Sequence, residues 1–201
     1  MNTCFERTER GEYALEYHYD PEPPNPRQWD NLSVMLCAHK RYILGDKQIN
    51  TERFSSWDDV HNYIRDELGG IEIMPLYLLD HSRLWLRAGK GFSDVDPQGW
   101  DWGQVGFVFT TQEQLDLLGI ENIDPQHIRK SIIAEVEVYD KYLRGEAYGW
   151  VILKRERCNL GFDHDEVIES CWGYFDLNYM KKDAEAAFSR TTNAKRNRRE
   201  V

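Results

Sequence analysis

Ile71-Glu72-Ile73-Met74-Pro75-Leu76-Tyr77-Leu78-Leu79, then Asp80-His81-Ser82, then Arg83-Leu84-Trp85-Leu86-Arg87 is the stretch on which the fold turns. Two apolar, aromatic runs flank a three-residue polar connection, which is the pattern of a β-hairpin. Strands joined so briefly pair antiparallel. Just upstream, Ser56 is followed three residues on by Asp59, and Gly69-Gly70 supplies a stop. Between them Val60, Tyr63, Ile64 and Leu68 recur at helical spacing, so a capped helix is expected there. Downstream, residues 89–103 read as a long polar-aromatic loop and residues 104–110 (QVGFVFT) return to strand character.

The rest of the chain extends this pattern. Residues 12–19 (EYALEYHY) read as a first strand, and Pro21, Pro23, Pro24 and Pro26 force an extended loop. Residues 33–44 read as a strand more readily than a helix. Thr111 caps a short helix closed by Gly119. Asp124-Pro125 starts a longer one, a carboxylate cap before a proline at the first helical position. Its stripe is Ile128, Ile132, Val136, Tyr139 and Leu143, ended by Gly145. Residues 148–153 and 167–175 read as the last strands, joined by an acidic loop, with a helix over 183–188. Strands outnumber helices and connections are short. The expected fold is α+β, a mainly antiparallel sheet with two or three helices packed on it. Residues 1–11 are expected to be a flexible N-terminus, 12–188 a single domain, and 189–201 a basic disordered tail.

Composition narrows the function classes. The chain has 201 residues, 41% hydrophobic and 13% aromatic, enough for a real core. No apolar run approaches the roughly 20 residues of a membrane helix, and the charged N-terminus lacks a secretory stretch. A cytoplasmic location is expected. Four scattered cysteines (Cys4, Cys37, Cys158, Cys171) suit free thiols rather than a disulfide framework. The net charge is -10, yet Arg190, Lys195, Arg196, Arg198 and Arg199 against Glu200 give the tail +4, so the body carries -14. An acidic body disfavours direct nucleic-acid binding outside the tail.

Aromatic, glycine and carboxylate residues cluster where elements are expected to end: Trp29-Asp30-Asn31, Tyr77 to Ser82, Trp100-Asp101-Trp102-Gly103, Tyr139-Asp140-Lys141-Tyr142 and Cys171-Trp172-Gly173-Tyr174. These residue types occur in several chemistries. Cys158, His164 and Cys171, or Cys37-x-His39, contain zinc-ligand types, but paired Cys-x2-Cys knuckles are missing, and buried thiols with a surface histidine are the simpler reading. No metal or cofactor is therefore assigned. Asp80-His81-Ser82 has the residue types of a hydrolase triad, but consecutive residues cannot stack as nucleophile, base and orienter; a self-bonded turn explains them. No phosphate-binding glycine loop is present. Glu135, Glu137, Asp140 and Glu146 can form a carboxylate ledge or simply the wet face of a helix. Mimicry of a phosphate array is weakened by about 20 basic residues in the body.

The clusters as a set resemble a family of uncharacterised small proteins of bacteriophages, plasmids and other mobile elements. The resemblance rests on Pro26-Arg27-Gln28-Trp29-Asp30-Asn31-Leu32, Leu36-Cys37-Ala38-His39-Lys40-Arg41-Tyr42-Ile43-Leu44-Gly45-Asp46 and Pro75-Leu76-Tyr77-Leu78-Leu79-Asp80-His81-Ser82. It continues through Trp102-Gly103-Gln104-Val105-Gly106-Phe107, Glu135 to Gly145, and Glu169-Ser170-Cys171-Trp172-Gly173-Tyr174. The chain departs from it at Ser33 and Arg83, where the family tends to have glycine, and at Trp102, where it has a small residue. The resemblance implies a setting, an accessory protein made inside a bacterial host cell, and no reaction.

In that setting the expected function is antagonism of a bacterial defence system, of the anti-restriction or anti-CRISPR type, by binding a host protein such as a nucleic-acid-handling effector. The expected surface is Trp29, Asp30, Asp80, His81, Trp100, Asp101, Trp102, Tyr139 and Asp140, which combine aromatic area with charge. One alternative is a small hydrolase or nucleotide-modifying enzyme using Asp30, His39, Asp80, His81, Asp101, Gln104, Glu135 and Asp140. Another is a passive structural or regulatory module.

Overall fold

A computed structural model describes residues 3–121, 123–159 and 161–199, with side chains to residue 193. In chain order the elements are β1 (Cys4–Arg10), β2 (Tyr13–Tyr19), β3 (Val34–Cys37), β4 (Lys47–Gln48), α1 (Trp57–Asp66), β5 (Gly70–His81) and β6 (Arg83–Ala88). They continue with β7 (Trp102–Thr111), α2 (Gln112–Leu117), α3 (Pro125–Leu143), β8 (Tyr148–Arg157), β9 (Asp163–Tyr174) and α4 (Leu177–Arg199). The fold is α+β with two mostly antiparallel sheets and helices packed on them. Where the sequence suggests one domain over 12–188, the backbone groups into two compact units, Met1–Pro24 with Gly145–Val201 and Asn25–Arg144.

In the second unit the strand order is β4-β3-β7-β5-β6, and only the β3–β4 pair is parallel. The β5–β6 hairpin forms, but its connection is tighter than the expected self-bonded Asp80-His81-Ser82 turn: Asp80 and His81 pair with Leu84 and Arg83, and Ser82 at φ 63° turns the chain. The capping signals hold as well. Ser56 accepts from the Asp59 N–H, Thr111 from Gln114, and Asp124 from Gln126 at the proline-led start of α3. Of residues 33–44 only Val34–Cys37 is strand. The α3 stripe Ile128, Ile132, Val136 and Tyr139 buries against Met74, Leu76, Leu78, Leu86 and Val108 on one sheet face. On the other face α1 lays Val60 and Ile64 over Leu36, Phe107 and Phe109. Gly106 in β7 lets the β3 backbone approach: a Cβ there would come within 2.1 Å of the Leu36 carbonyl oxygen.

In the first unit the order is β1-β2-β8-β9. Tyr13, Leu15 and Tyr17 alternate along β2 and, with Trp150 and Ile152 of β8, bury Met180, Ala184, Ala187 and Phe188 of α4. The α4 start is fixed by Asp176, whose carboxylate accepts from the Tyr179 N–H at 2.8 Å. Asp183 then ties helix to sheet, accepting from the Tyr174 hydroxyl at 2.6 Å and the Trp150 indole N–H at 3.2 Å.

Three boundaries differ from the sequence expectation, and charge pairing explains two of them. The segment expected to be a flexible N-terminus contains β1, which pairs with β2 across the Gly11 turn (φ 64°) and places Arg7 opposite Glu16. The acidic stretch 163–166, expected to be loop, is strand because Asp163, Asp165 and Glu166 lie opposite Arg157, Arg155 and Lys154. The helix expected over 183–188 runs through Arg199, into the segment read as a disordered tail. The Thr191 and Thr192 hydroxyls donate to the Ala187 and Phe188 carbonyls, and the following alanine, lysine and arginine residues are good helix formers. The basic side chains of residues 195–199, and Glu200 and Val201, lie outside the described side chains. Among the described residues, no helix is long and apolar enough to cross a membrane.

Candidate binding pocket

The hairpin β5–β6 and the loop 89–101 border a half-open cleft of about 690 Å³ in the second unit. Leu79, Trp85, Phe92, Val95 and Pro97 supply apolar walls, and His81, Arg87, Asp96, Gln98 and Asp101 supply polar groups. Period-two alternation puts Leu79 and His81 on one face of β5, and Trp85 and Arg87 together on β6.

The loop is built around Asp96. Its carboxylate accepts from the backbone N–H groups of Gln98 (3.2 Å), Gly99 (3.2 Å), Trp100 (2.7 Å) and Asp101 (3.0 Å). The bonds from Asp101 and then from Trp100, Gln98 and Gly99 hold its carboxyl below the usual carboxylate range. The Asp96 carbonyl in turn accepts from the Trp102 indole N–H at 2.9 Å. Trp102 packs against Gly91, where a Cβ would come within 2.3 Å of the ring, so only glycine leaves room for the indole. Arg87 closes the other end: its guanidinium covers the Phe92 ring at 4.3 Å and donates to Asp94 at 2.9 and 3.1 Å. That pairing lowers the Asp94 carboxyl in turn.

At the rim the His81 Nδ1 and Asp101 Oδ2 atoms are 2.9 Å apart. Asp101 is further anchored by its carbonyl, which accepts from the Asp80 N–H at 2.8 Å. The His81 side chain is 72% exposed, so the pair is open to water. Val95 of the wall is 58% exposed, and Trp100, next to Asp101 in the chain but not lining the pocket, is 83% exposed. The residues lining the pocket include no serine, threonine, cysteine or lysine. An apolar floor with a few polar groups at a solvated edge is the make-up of a ligand pocket.

Of the nine residues expected to form one surface, His81 and Asp101 line this pocket, Trp100 adjoins Asp101, and Trp102 supports the loop from below. The others are engaged elsewhere. Tyr139 is buried in the α3 stripe and accepts from the Gly45 N–H at 3.1 Å. Asp140 accepts from the Leu86 N–H of edge strand β6 at 2.7 Å and pairs with Arg144 at 2.9 Å. Asp80 accepts from Arg41 at 2.6 Å and from the Tyr42 hydroxyl at 3.2 Å. Trp29 and Asp30 are exposed, in a segment anchored by Arg27, and do not line the pocket.

Of the eight residues of the enzymatic alternative, His81, Asp101 and Asp80 adjoin one another and His39 lies near Asp80, while Gln104, Glu135 and Asp140 are engaged in the fold. His39 stacks on Tyr42, the Gln104 side chain donates to the Gly106 carbonyl, and Glu135 is structural. The Glu135 carboxylate accepts from the Leu32 and Ser33 N–H groups and from the Ser33 hydroxyl, beside the buried Arg27 that also pairs with Asp46. The zinc-ligand types singled out by spacing separate too. His164 and Cys171 lie seven residues apart along β9, about 23 Å at roughly 3.3 Å per residue, and Cys37 is buried in the core.

Sequence reading overlooked Trp85, Arg87, Phe92 and the Asp96 hub. The signal available was the Asp96-Pro97-x-Gly99 turn and the shared face of Trp85 and Arg87. Compared with models of known protein families, with curated proteins and with solved structures, the chain has no match.

Proposed function

We propose that the protein acts by binding another protein, taking an apolar or aromatic anchor side chain of its partner into the pocket between the β5–β6 hairpin and the loop 89–101. The observation that carries this reading is an apolar-walled cleft of about 690 Å³ rimmed by His81 and Asp101, with Trp100 exposed next to Asp101 in the chain. Anchors of this kind dominate binding energy when they fill a desolvated pocket. The surrounding unit has 19 Asp and Glu against 13 Lys and Arg, a net of -6, which favours a basic partner. Together with the resemblance to proteins of bacteriophages and plasmids, this makes a host nucleic-acid-handling defence effector in the bacterial cytoplasm the partner we favour, and antagonism of restriction or CRISPR defence the activity.

The test is phage plating on strains that each carry one defence system. Expression of the wild type is expected to raise plating efficiency on at least one strain, and Trp85→Ala and Trp100→Ala to abolish the rise while the protein remains folded. Affinity capture from the responding strain should recover an effector more strongly at low salt than at high. No protection on any strain, or protection that survives both tryptophan substitutions, would overturn the reading.

A further inference from the structure

We propose that Cys4, Glu16 and His18 form a binding site for a zinc-class divalent cation in the first unit. The β1–β2 register sets Cys4 opposite His18. Glu16 lies two residues before His18 on the same strand and therefore on the same sheet face. The Cys4 Sγ, one Glu16 carboxylate oxygen and one His18 ring nitrogen all lie within 4.8 Å of one another. His18 Nε2 and Glu16 Oε2 are 2.9 Å apart. Two donors each about 2.0 Å from a tetrahedral zinc stand roughly 3.3 Å apart, so they need open by only a few tenths of an ångström.

The far side of each ligand is already held. His18 Nδ1 is 3.1 Å from the Thr3 hydroxyl, and Glu16 Oε1 accepts from Arg7 at 2.5 Å. Such outer partners hold the imidazole and the carboxylate in place beside the thiol. The histidine and glutamate side chains are only 13% and 17% exposed. The Trp172 ring, 5.6 Å from that of His18, walls one side. A simple His–Glu ion pair would need no thiol, and the third, soft ligand is what separates the two readings. Sulfur, nitrogen and oxygen donors together suit zinc over magnesium or calcium. Three protein ligands leave the fourth tetrahedral position to water or to an incoming group. On binding, the Cys4 thiol gives up to solvent the proton it now donates to the Glu6 carbonyl, the proton shared between His18 and Glu16 also leaves to solvent, and the bonds from sulfur, nitrogen and oxygen to zinc form in their place.

The experiment is a Co²⁺ titration of the tag-free full chain after chelator treatment, followed by Zn²⁺ competition. One equivalent should bring in tetrahedral visible bands and a near-ultraviolet sulfur-to-cobalt charge-transfer band, both removed by Zn²⁺. Cys4→Ser should remove the charge-transfer band, and His18→Gln should weaken binding by roughly a hundredfold. Thr3→Ala should weaken it by about tenfold through the lost outer hydrogen bond. Cys158→Ser and Cys171→Ser should change nothing. Should Cys4→Ser misfold by circular dichroism, protection of Cys4 from alkylation by one equivalent of Zn²⁺ in the wild type, read by mass spectrometry, replaces it. Absence of saturable binding, a charge-transfer band that survives Cys4→Ser, or a Cys4 alkylated equally fast with and without Zn²⁺ overturns the site.

Discussion

Replacing Glu135 with alanine separates a structural carboxylate from a functional one. Glu135 accepts from the Leu32 N–H at 2.6 Å, the Ser33 N–H at 3.1 Å and the Ser33 hydroxyl at 2.5 Å. It also faces Arg27, whose side chain is 3% exposed, at 3.5 Å. Arg27 keeps its bonds to Asp46 and to the Ser33 carbonyl, so the cost lies mainly in three stranded donors. Hydrogen bonds to a charged group are worth about 1.5–3 kcal/mol each and are not additive. Breaking one member of a buried charge cluster costs about 3–5 kcal/mol. The expected loss is therefore about 3–5 kcal/mol. With a urea slope of roughly 2 kcal/mol per molar, the midpoint falls by about 2 M. Glu135→Gln keeps one acceptor and should lose about half as much.

The assay is urea denaturation followed by tryptophan fluorescence, with amide exchange at Leu32 and Ser33 as the local readout. Both amides should lose protection before the rest of the second unit. A carboxylate kept for catalysis behaves oppositely, because removing such groups is commonly neutral or stabilising. An alanine variant within about 0.5 kcal/mol of the wild type, with unchanged protection at those amides, refutes the structural assignment.

Three further outcomes follow from the same geometry. Gly91→Ala should cost about 1–3 kcal/mol by overpacking against the Trp102 ring, and a red-shifted Trp102 emission should report the displaced indole; unchanged midpoint and spectrum would contradict the close approach. Burial pushes the Cys37 thiol up to about 12 from 9.0, so its folded-state stabilisation is complete below pH 9 and fades between pH 9 and 12. Denaturation midpoints of the wild type and Cys37→Ala should therefore converge over that range, and the native thiol should resist aromatic disulfide reagents at pH 8 until denaturant is added. Phe188→Ala, at a side chain 1% exposed, should cost about 3–5 kcal/mol and expose α4 amides to exchange; fast exchange there already in the wild type would deny its packing on β2 and β8.

Local signals were readable wherever one short segment carried the whole cause. The Ser56, Thr111 and Asp124 caps, the α3 stripe and the β5–β6 hairpin depend on residues within a few positions of each other, and each formed where expected. Charge-rich segments misled in the other direction. β1 and the start of β9 look like solvated loop in isolation, and become strand only because Arg7 meets Glu16 and Arg155 meets Asp165 across a register that the linear chain does not display.

The amino-acid order alone settled the α+β class, the principal caps and turns, and the acidic charge, because these follow from local propensity and counting. Tertiary structure decided which titratable groups share space. It drew Tyr139, Asp140 and Glu135 into structural hydrogen bonds, gathered His81 and Asp101 at one rim, and set Cys4 beside Glu16 and His18. Hydrogen bonds act over about 3 Å, and residues 20 to 103 positions apart reach that distance only after strand register and helix docking have been chosen.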